Sequence, residues 1–155
     1  MEIRLMTLDD YPAVVVLELE VQAIHVEGAP RVHIPFGVTS LQSYREILAD
    51  PAKAVVLAIQ DGEVVGYVHY ELIDRPQGEW TYAQRVVHVH SLTIKQEHRR
   101  KGYGERLMDY VNDAARDLKA THVTLEVWAF NKPAHTFYER LGFEPTQINM
   151  AREVS

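Results

Sequence analysis

The 155-residue sequence contains no cysteine. Disulfides, cysteine-ligated zinc and thiol nucleophiles are therefore excluded, and such a sequence suits a reducing compartment. The sequence also has no apolar run long enough to span a bilayer, and residues 1–7 lack the basic region and apolar segment of a signal peptide. We therefore expect a cytoplasmic protein with no membrane partner.

A surplus of positive charge is also missing. The chain carries 16 Lys and Arg against 22 Asp and Glu, which gives a formal net charge of −6 at pH 7. Its basic residues are scattered except for Arg99, Arg100 and Lys101, with Arg106 one helical turn later. A nucleic-acid-binding domain usually presents a broad positive face, so we expect no nucleic-acid partner. This local cluster suits a small phosphorylated ligand; an RNA or DNA contact stays an alternative, and it predicts binding that weakens steeply with salt.

The length and composition are those of one globular domain. The sequence is 46% hydrophobic and 25% charged, which is typical of a folded protein. A domain of this size buries about 68–70% of the surface that its unfolded chain would expose. Because we find no internal repeat, low-complexity segment or linker, we expect residues 1–155 to form a single domain.

The apolar patterns predict the element order β, α, α, three β, α, β, α and a closing β. The predicted helices cover about 8–23, 41–50, 104–118 and 132–142, and the predicted strands cover 3–6, 53–60, 63–72, 84–94, 122–130 and the last residues. Thr39 or Ser40 can cap the second helix, and Asp61-Gly62 between two apolar runs predicts a β-hairpin. The helical face expected to meet the core consists of Leu107, Tyr110, Val111, Ala114, Ala115 and Leu118.

The strand over 84–94, the helix over 104–118 and the strand over 122–130 follow one another along the chain. A strand, a crossover helix and the next strand form a parallel pair, whereas the hairpin strands are antiparallel. The sequence therefore predicts an α/β fold with a mixed sheet.

The turn RRKGYG, residues 99–104, comes directly before the 104–118 helix. A helix N-terminus presents backbone N–H groups without partners and a partial positive charge, and Gly102 and Gly104 let the backbone approach an anion closely. The dinucleotide fingerprint does not fit, because Leu107 stands where its third glycine belongs, and no Gly-Lys-Ser/Thr follows as in a Walker loop. The turn therefore predicts a pyrophosphate site of another kind.

The same turn matches the pattern [Q/R]-x-x-G-x-[G/A] and resembles the pyrophosphate loop of the GCN5-related N-acetyltransferase (GNAT) superfamily. SLTIKQEHRRKGYG is similar to the family's fourth strand and loop, and LEVWAFNKPAHTFYERLGFE is similar to its fifth strand, an Asn and the helix that follows. The resemblance covers about residues 84–145. It implies a single GNAT-like domain whose mixed, mostly antiparallel sheet has helices on both faces and a parallel central pair, the fourth and fifth strands, splayed into a V-shaped cofactor cleft.

The resemblance also implies a cosubstrate, acetyl-CoA, with its pantetheine arm along the fourth strand and its pyrophosphate at the glycine turn. The cofactor-binding residues carried over are Leu92, Thr93, Ile94, Arg99, Arg100, Lys101, Gly102, Tyr103, Gly104, Glu105, Asn131, Ala134 and Phe137. The implied reaction is acetyl transfer to a primary amine by direct attack in a ternary complex. Homodimer formation is a further implication, because related proteins are often dimers.

The implied catalytic residues are Tyr138, Glu126 and His88. Tyr138 matches the tyrosine that protonates the departing thiolate, and a backbone N–H near Leu92 would receive the developing oxyanion. Glu126 is the first candidate for the base, since it resembles the position used by ribosomal-protein N-terminal acetyltransferases. His88 is the second, and His90 points to the same face. A purely structural role within the sheet stays an open alternative for each of these three.

Three further questions stay open at this level. His88 and His90 alternate onto one face and could bind a metal with His69, but no third ligand follows from the spacing, so no metal site is predicted. A non-catalytic acyl-CoA-binding regulatory protein is the alternative to an enzyme. The acceptor is expected to be a small-molecule or peptide amine, selected by a loop and its surroundings that contain His25, Pro30, Arg31, His33, Phe36 and Tyr44.

Overall fold

The strands form where the sequence alternates or runs apolar. In the computed structural model, which describes residues 1–154, they are β1 (Glu2–Leu5), β2 (Lys53–Gln60), β3 (Glu63–Arg75), β4 (Gln84–Ile94) and β5 (His122–Leu125). Within these residues they form one sheet in the order β1-β2-β3-β4-β5, in which β4 and β5 are parallel and the other neighbours are antiparallel. The predicted mixed α/β fold is confirmed.

The hairpin between β2 and β3 follows from its two turn residues. Asp61 has φ 51° and Gly62 has φ 78°, so both adopt the left-handed conformation that a type I′ turn requires. Asp tolerates this conformation better than most residues, and glycine adopts it without a steric penalty. The predicted hairpin is therefore confirmed.

Four α-helices and two short 3-10 turns complete the regular structure of residues 1–154. The helices are α1 (Tyr11–Gly28), α2 (Leu41–Ala49), α3 (Tyr103–Asp117) and α4 (Lys132–Arg140), and the turns are Leu8–Asp10 and Gln96–His98. The Ser40 hydroxyl caps α2 by accepting the Ser43 N–H at 3.1 Å, as predicted. Helix α1 runs beyond the predicted end near residue 23 and stops before Pro30, since the residue that precedes a proline disfavours the helical conformation.

The helices cover both faces of the sheet. On one face, α3 packs Leu107 and Val111 onto apolar residues of β2, β3 and β4. On the other face, α1 packs Val14 and Leu17, and α2 packs Tyr44, onto β2 and β3. Two apolar layers therefore enclose the sheet and fix the direction of each strand.

The buried face of α3 differs in three positions from the predicted one. Met108 is 6% exposed and lies in the core, whereas Tyr110 and Leu118 are 36% and 37% exposed. The buried face therefore includes Met108, and the predicted core positions of Tyr110 and Leu118 were wrong.

The predicted closing strand does not form, and β5 ends earlier than the pattern predicted. After residue 143 the described chain has no regular structure, and the alternating Ile148 and Met150 are 78% and 92% exposed. A strand needs both a hydrogen-bonding edge and a face to bury, and these side chains have no apolar surface beneath them. The β4–β5 pair consequently lies at an edge of the sheet rather than in its centre.

The end of β5 has a local cause. Trp128 and Phe130 stack on each other with centroids 5.9 Å apart, and Phe130 also meets the His25 ring of α1. Gly28 permits this contact, because a Cβ there would lie 2.3 Å from the Phe130 ring. The chain after Leu125 therefore follows α1 instead of β4. Within residues 1–154, no helix combines the length and apolar character needed to cross a membrane.

Candidate functional site

A cleft opens between β4 and β5 because β4 continues beyond the end of β5. The two strands pair in register from Val86 with His122 to Val89 with Leu125. Beyond that point β5 has ended, while β4 continues to Ile94 and pairs with β3 alone. The side of β4 that faced β5 consequently carries backbone groups without strand partners, and a cavity of about 320 Å³ lies there. The predicted splayed strands are present.

The glycine turn at the end of β4 is an open anion-binding geometry. Gly102 is the N-cap of α3 with φ 85°, a left-handed conformation that favours glycine. A Cβ placed there would meet no atom of residues 1–154 within 4 Å. Across the same described residues, the backbone N–H groups from Arg100 to Glu105 find no acceptor. This run of free donors at a helix N-terminus fits a phosphate group.

The second glycine of the turn also has a packing role. A Cβ on Gly104 would lie 3.2 Å from the Phe137 ring, so the glycine lets α4 pack closely on the start of α3. Phe137 also packs against the core rather than lining the cleft. Arg99 donates from Nε to the Ile94 carbonyl at 3.0 Å and thereby fixes the turn. The basic side chains of Arg100 and Lys101 are exposed around the free amides.

Helix α4 supplies one wall of the cleft, through Asn131, Ala134 and Tyr138. The Asn131 Oδ1 caps α4 by accepting the Ala134 N–H at 3.3 Å, so the carboxamide NH2 is the part left for a ligand. Burial raises the pKa of Tyr138 to about 12. The phenol therefore keeps its proton at neutral pH.

Strand β4 supplies the opposite wall, where the structure brings the predicted Glu126 and His88 to the same cavity as Tyr138. His88 Nδ1 lies 2.8 Å from Thr124 Oγ1 of β5. Burial is the largest cause that lowers the pKa of His88, and His90 adds to it. Glu126 is exposed at the cavity surface and has no hydrogen bond or ion pair within residues 1–154.

The mouth of the cleft contains aromatic rings, and only some of them were predicted from the sequence. His25 lines the cavity, and His33 packs its ring against Trp128 with centroids 5.0 Å apart. Trp128, two residues after Glu126, was missed, although alternation in the predicted 122–130 strand would put both on one face. Two loop candidates lie elsewhere: Tyr44 is 2% exposed in the core and Phe36 is 86% exposed outside the cavity.

Within residues 1–154, His69, His88 and His90 do not form a group whose ligand atoms are close enough together to hold a metal ion. The set of three metal-type side chains with ligand atoms within 4.8 Å of one another consists of Glu63, Glu97 and His98. Lys95 Nζ already lies 2.5 Å from Glu63 and 3.4 Å from Glu97, so an ammonium supplies the positive charge there.

Comparisons with known proteins agree with this geometry. The model of the Acetyltransferase (GNAT) family matches residues 20–143. An N-alpha-acetyltransferase of Saccharolobus solfataricus is 31% identical over 112 residues, which cover 66% of this chain and 64% of that protein. The chain thus spans somewhat less than two thirds of the length of that relative.

Solved structures match the fold over nearly the whole chain. A mutant of the BH1408 protein from Bacillus halodurans has a TM-score of 0.97 at 19% identity and covers 100% of both chains. The aminoglycoside N-acetyltransferase AAC(6')-Iy, solved in complex with CoA, has a TM-score of 0.74 at 15% identity and covers 99% of this chain and 100% of its own. Together with the family match, the splayed strands and the glycine turn lead to one conclusion: the chain belongs to the GNAT acetyltransferase family.

Proposed function

We propose that the protein transfers an acetyl group from acetyl-CoA to a primary amine by direct attack in a ternary complex. The single observation that carries this proposal is the run of free backbone N–H groups from Arg100 to Glu105, in the turn that follows β4 beyond the point where its pairing with β5 has ended. A pyrophosphate satisfies those donors, and an extended pantetheine arm satisfies the β4 edge. Family membership supports the same reaction class.

In this proposal the residues around the turn hold the cosubstrate. Backbone groups of Leu92, Thr93 and Ile94 bond the pantetheine arm, while the amides of the turn, with the charges of Arg100 and Lys101, hold the pyrophosphate. The Asn131 NH2 and the small side chain of Ala134 border the cavity between β4 and β5. Phe137 and Arg99 act indirectly, because the former packs on Gly104 and the latter bonds the Ile94 carbonyl.

Acetyl-CoA supplies an activated thioester, and the chain's own groups manage charge and protons. A backbone N–H near Leu92 stabilises the oxyanion that develops on the acetyl oxygen. The Tyr138 hydroxyl, which is protonated at neutral pH, protonates the departing sulfur. The amine's proton passes to a base on the β4 side of the cavity, for which Glu126 and His88 are the candidates from sequence.

The need for a base depends on the acceptor. A lysine-type amine with a pKa near 10.4 requires about 4–5 kcal/mol to lose its proton at pH 7, whereas a peptide α-amine near 7.7–8.0 requires about 1 kcal/mol. The Saccharolobus relative is named as an N-alpha-acetyltransferase, so peptide α-amines are the first acceptors to test. Lysine-type amines and small polyamines complete the acceptor panel.

The binding part of the proposal is tested with a matched pair at Gly102. Asn and Asp have the same shape and both tolerate the left-handed conformation, so Gly102→Asn and Gly102→Asp differ chiefly in charge. Acetyl-CoA at about 100 times its Kd adds about 2.7 kcal/mol of stability, which raises Tm by about 5–10 °C in a chain of this length. We expect wild type and Gly102→Asn to show this rise and Gly102→Asp to lose it.

Two results would contradict the proposal. An undiminished rise for Gly102→Asp would place the phosphates elsewhere. Release of free thiol at background rate with every amine of the panel, despite a normal Tm rise, would instead favour the non-catalytic acyl-CoA-binding regulator. The two measurements separate the site of binding from the chemistry.

A further inference from the structure

His90 lies at a bulge of β4, on the same side of the strand as His88 and facing the cleft. Tyr70 of β3 pairs with Val89 and His69 pairs with Ser91, so His90 is an extra residue without a partner across the ladder. The ladder with β3 is interrupted at this residue, as is common next to functional sites. The His90 ring lines the cavity, with its centroid 4.8 Å from that of His69.

His90 is held by a carboxylate. Its Nε2 lies 2.8 Å from Glu71 Oε1, and the two side chains are 37% and 25% exposed. An ionised carboxylate only accepts hydrogen bonds, so in the neutral ring Nε2 carries the hydrogen and Nδ1 keeps the lone pair. Nδ1 has no hydrogen-bond partner in the described chain. A histidine oriented in this way has one basic nitrogen free, as in the arrangement that activates nucleophiles in hydrolases.

The two neighbouring imidazoles are poorer proton acceptors. Burial lowers the pKa of His69 to about 4, and its Nε2 is enclosed without a partner among residues 1–154. The pKa of His88 is lowered, first by burial and then by His90, and its Nδ1 is engaged with Thr124. Of these three rings, His90 alone has a carboxylate bonded to it.

Other charges around this cluster come from several elements. Lys53 of β2 acts against protonation of His69, and Arg75 of β3 acts against protonation of His88. Glu126, which follows β5, favours protonation of His88 and shares the cavity with His25 of α1. Glu71 differs from all of these charged residues because it is hydrogen-bonded to the His90 ring.

We infer that His90 is the catalytic base of the transfer and that Glu71 is the residue that positions it. The inference rests on the proposed function. The amine nitrogen forms the C–N bond to the acetyl carbon while the C–S bond breaks. The N–H proton goes to His90 Nδ1, and the sulfur takes the Tyr138 proton. Tyr138 then regains a proton from water and His90 releases one to water, so these two exchanges cancel. The one proton that leaves for each ammonium acetylated is the one that His90 takes earlier, when the ammonium becomes the neutral amine, and passes to water.

The experiment compares His90→Gln and Glu71→Gln with wild type in an acetyl-CoA and lysine-type amine assay that reads free thiol. We expect His90→Gln to lower kcat by about 10²–10⁴-fold, the range typical of general-base loss, with an unchanged Tm rise on acetyl-CoA. The control is His122→Gln, an exposed histidine of β5 outside the cavity. This variant should keep wild-type kcat.

Glu71→Gln has a signature that loss of structure cannot imitate. Without the carboxylate the imidazolium is less stable, so the acidic limb of the kcat/KM profile should move to lower pH while the alkaline limb stays in place. Glu71→Asp should restore part of both kcat and the wild-type position of that limb. A purely structural role for Glu71 would lower Tm and leave the limb where it was.

Each remaining outcome overturns the inference. A His90→Gln variant with kcat within threefold of wild type, or an acidic limb that Glu71→Gln does not move, removes the assigned roles. Loss of the limb in Glu126→Gln or His88→Gln, with His90→Gln active, assigns the base to that residue instead. A wild-type protein that releases no thiol defeats the proposed function itself, whereas an active His90→Gln variant defeats only this inference.

Discussion

The two faces of β4 contrast sharply over four consecutive residues. Val87 and Val89 face α3 and are 0% and 4% exposed. His88 and His90 face the cleft instead and remain partly open to it. Burying a valine side chain contributes about 1.5–3 kcal/mol, whereas covering an imidazole without a full set of partners opposes folding. One face therefore holds the strand in place, and the other carries groups suited to chemistry.

The contrast extends to the elements that pack on each face. Leu107 and Val111 of α3 are 0% exposed against the valine face. The histidine face meets α1 only in part, and a cavity lies where a second apolar layer would otherwise be. Substitutions on the two faces should consequently separate into those that change stability and those that change turnover.

The largest effect is expected across the cleft from the histidine face. Tyr138→Phe removes the hydroxyl that supplies the sulfur's proton, and kcat should fall by about 10²–10⁴-fold, or about 3–5 kcal/mol. Tm and the Tm rise on acetyl-CoA should change little, because the ring and its packing on Phe143 are kept. Turnover within a few-fold of wild type would show that the thiolate obtains its proton elsewhere.

On the valine face, a core truncation should act on stability alone. Leu107→Ala should lower the free energy of unfolding by about 2–5 kcal/mol, since it removes a fully buried side chain and leaves a cavity. The matched control is Leu118→Ala at the end of the same helix, where the side chain is 37% exposed and the loss should be less than half as large. Urea denaturation measures both. Equal losses would contradict the assigned packing of α3.

The smallest effect is expected from the buried ring beneath the histidine face. Burial lowers the pKa of His69 from 6.5 to about 4, so the unfolded chain binds this proton more readily than the folded one. The stability contributed by the neutral ring is complete above pH 6.5 and is lost as pH falls toward 4. Because the ring is only partly buried, we expect this loss to be about 2 kcal/mol.

His69→Gln removes the titrating group but keeps a polar side chain. The free energy of unfolding, obtained from denaturation curves at pH values between 7 and 4, should therefore fall less steeply with decreasing pH for the variant than for wild type. If the free energy of unfolding of both proteins has the same pH dependence, the pKa of His69 does not change on folding. Asp10, whose pKa the hydrogen bond from Arg4 lowers to about 2, is present in both proteins, so its contribution cancels in the comparison.

Much of the fold followed from local signals. The bounds of β4 match the predicted 84–94, and Asp61-Gly62 and Ser40 mark the turn and cap that form. These features depend on residues close together in sequence, where periodicity and turn chemistry are decisive. The closing strand was wrong because alternation alone does not provide an edge or a surface to bury.

The site was predictable where one segment forms it and less so where several segments meet. The glycine turn and Tyr138 follow from single motifs. The Glu71–His90 bond joins β3 to β4 across a bulge, and its register cannot be derived from spacing. Gly104 belongs to the turn by sequence, but its neighbour Phe137 comes from another helix. Contacts of this kind depend on tertiary packing.

The short ladder between β4 and β5 has a thermodynamic consequence for the free protein. After the Val89–Leu125 pair, the exposed rim of β4 has only solvent to bond. A ligand that lies along this edge can make the backbone hydrogen bonds that β5 does not make there, so that it acts as a temporary sixth strand. Occupancy should then slow amide hydrogen exchange at residues 90–94 first, well before the distant β1–β2 edge responds.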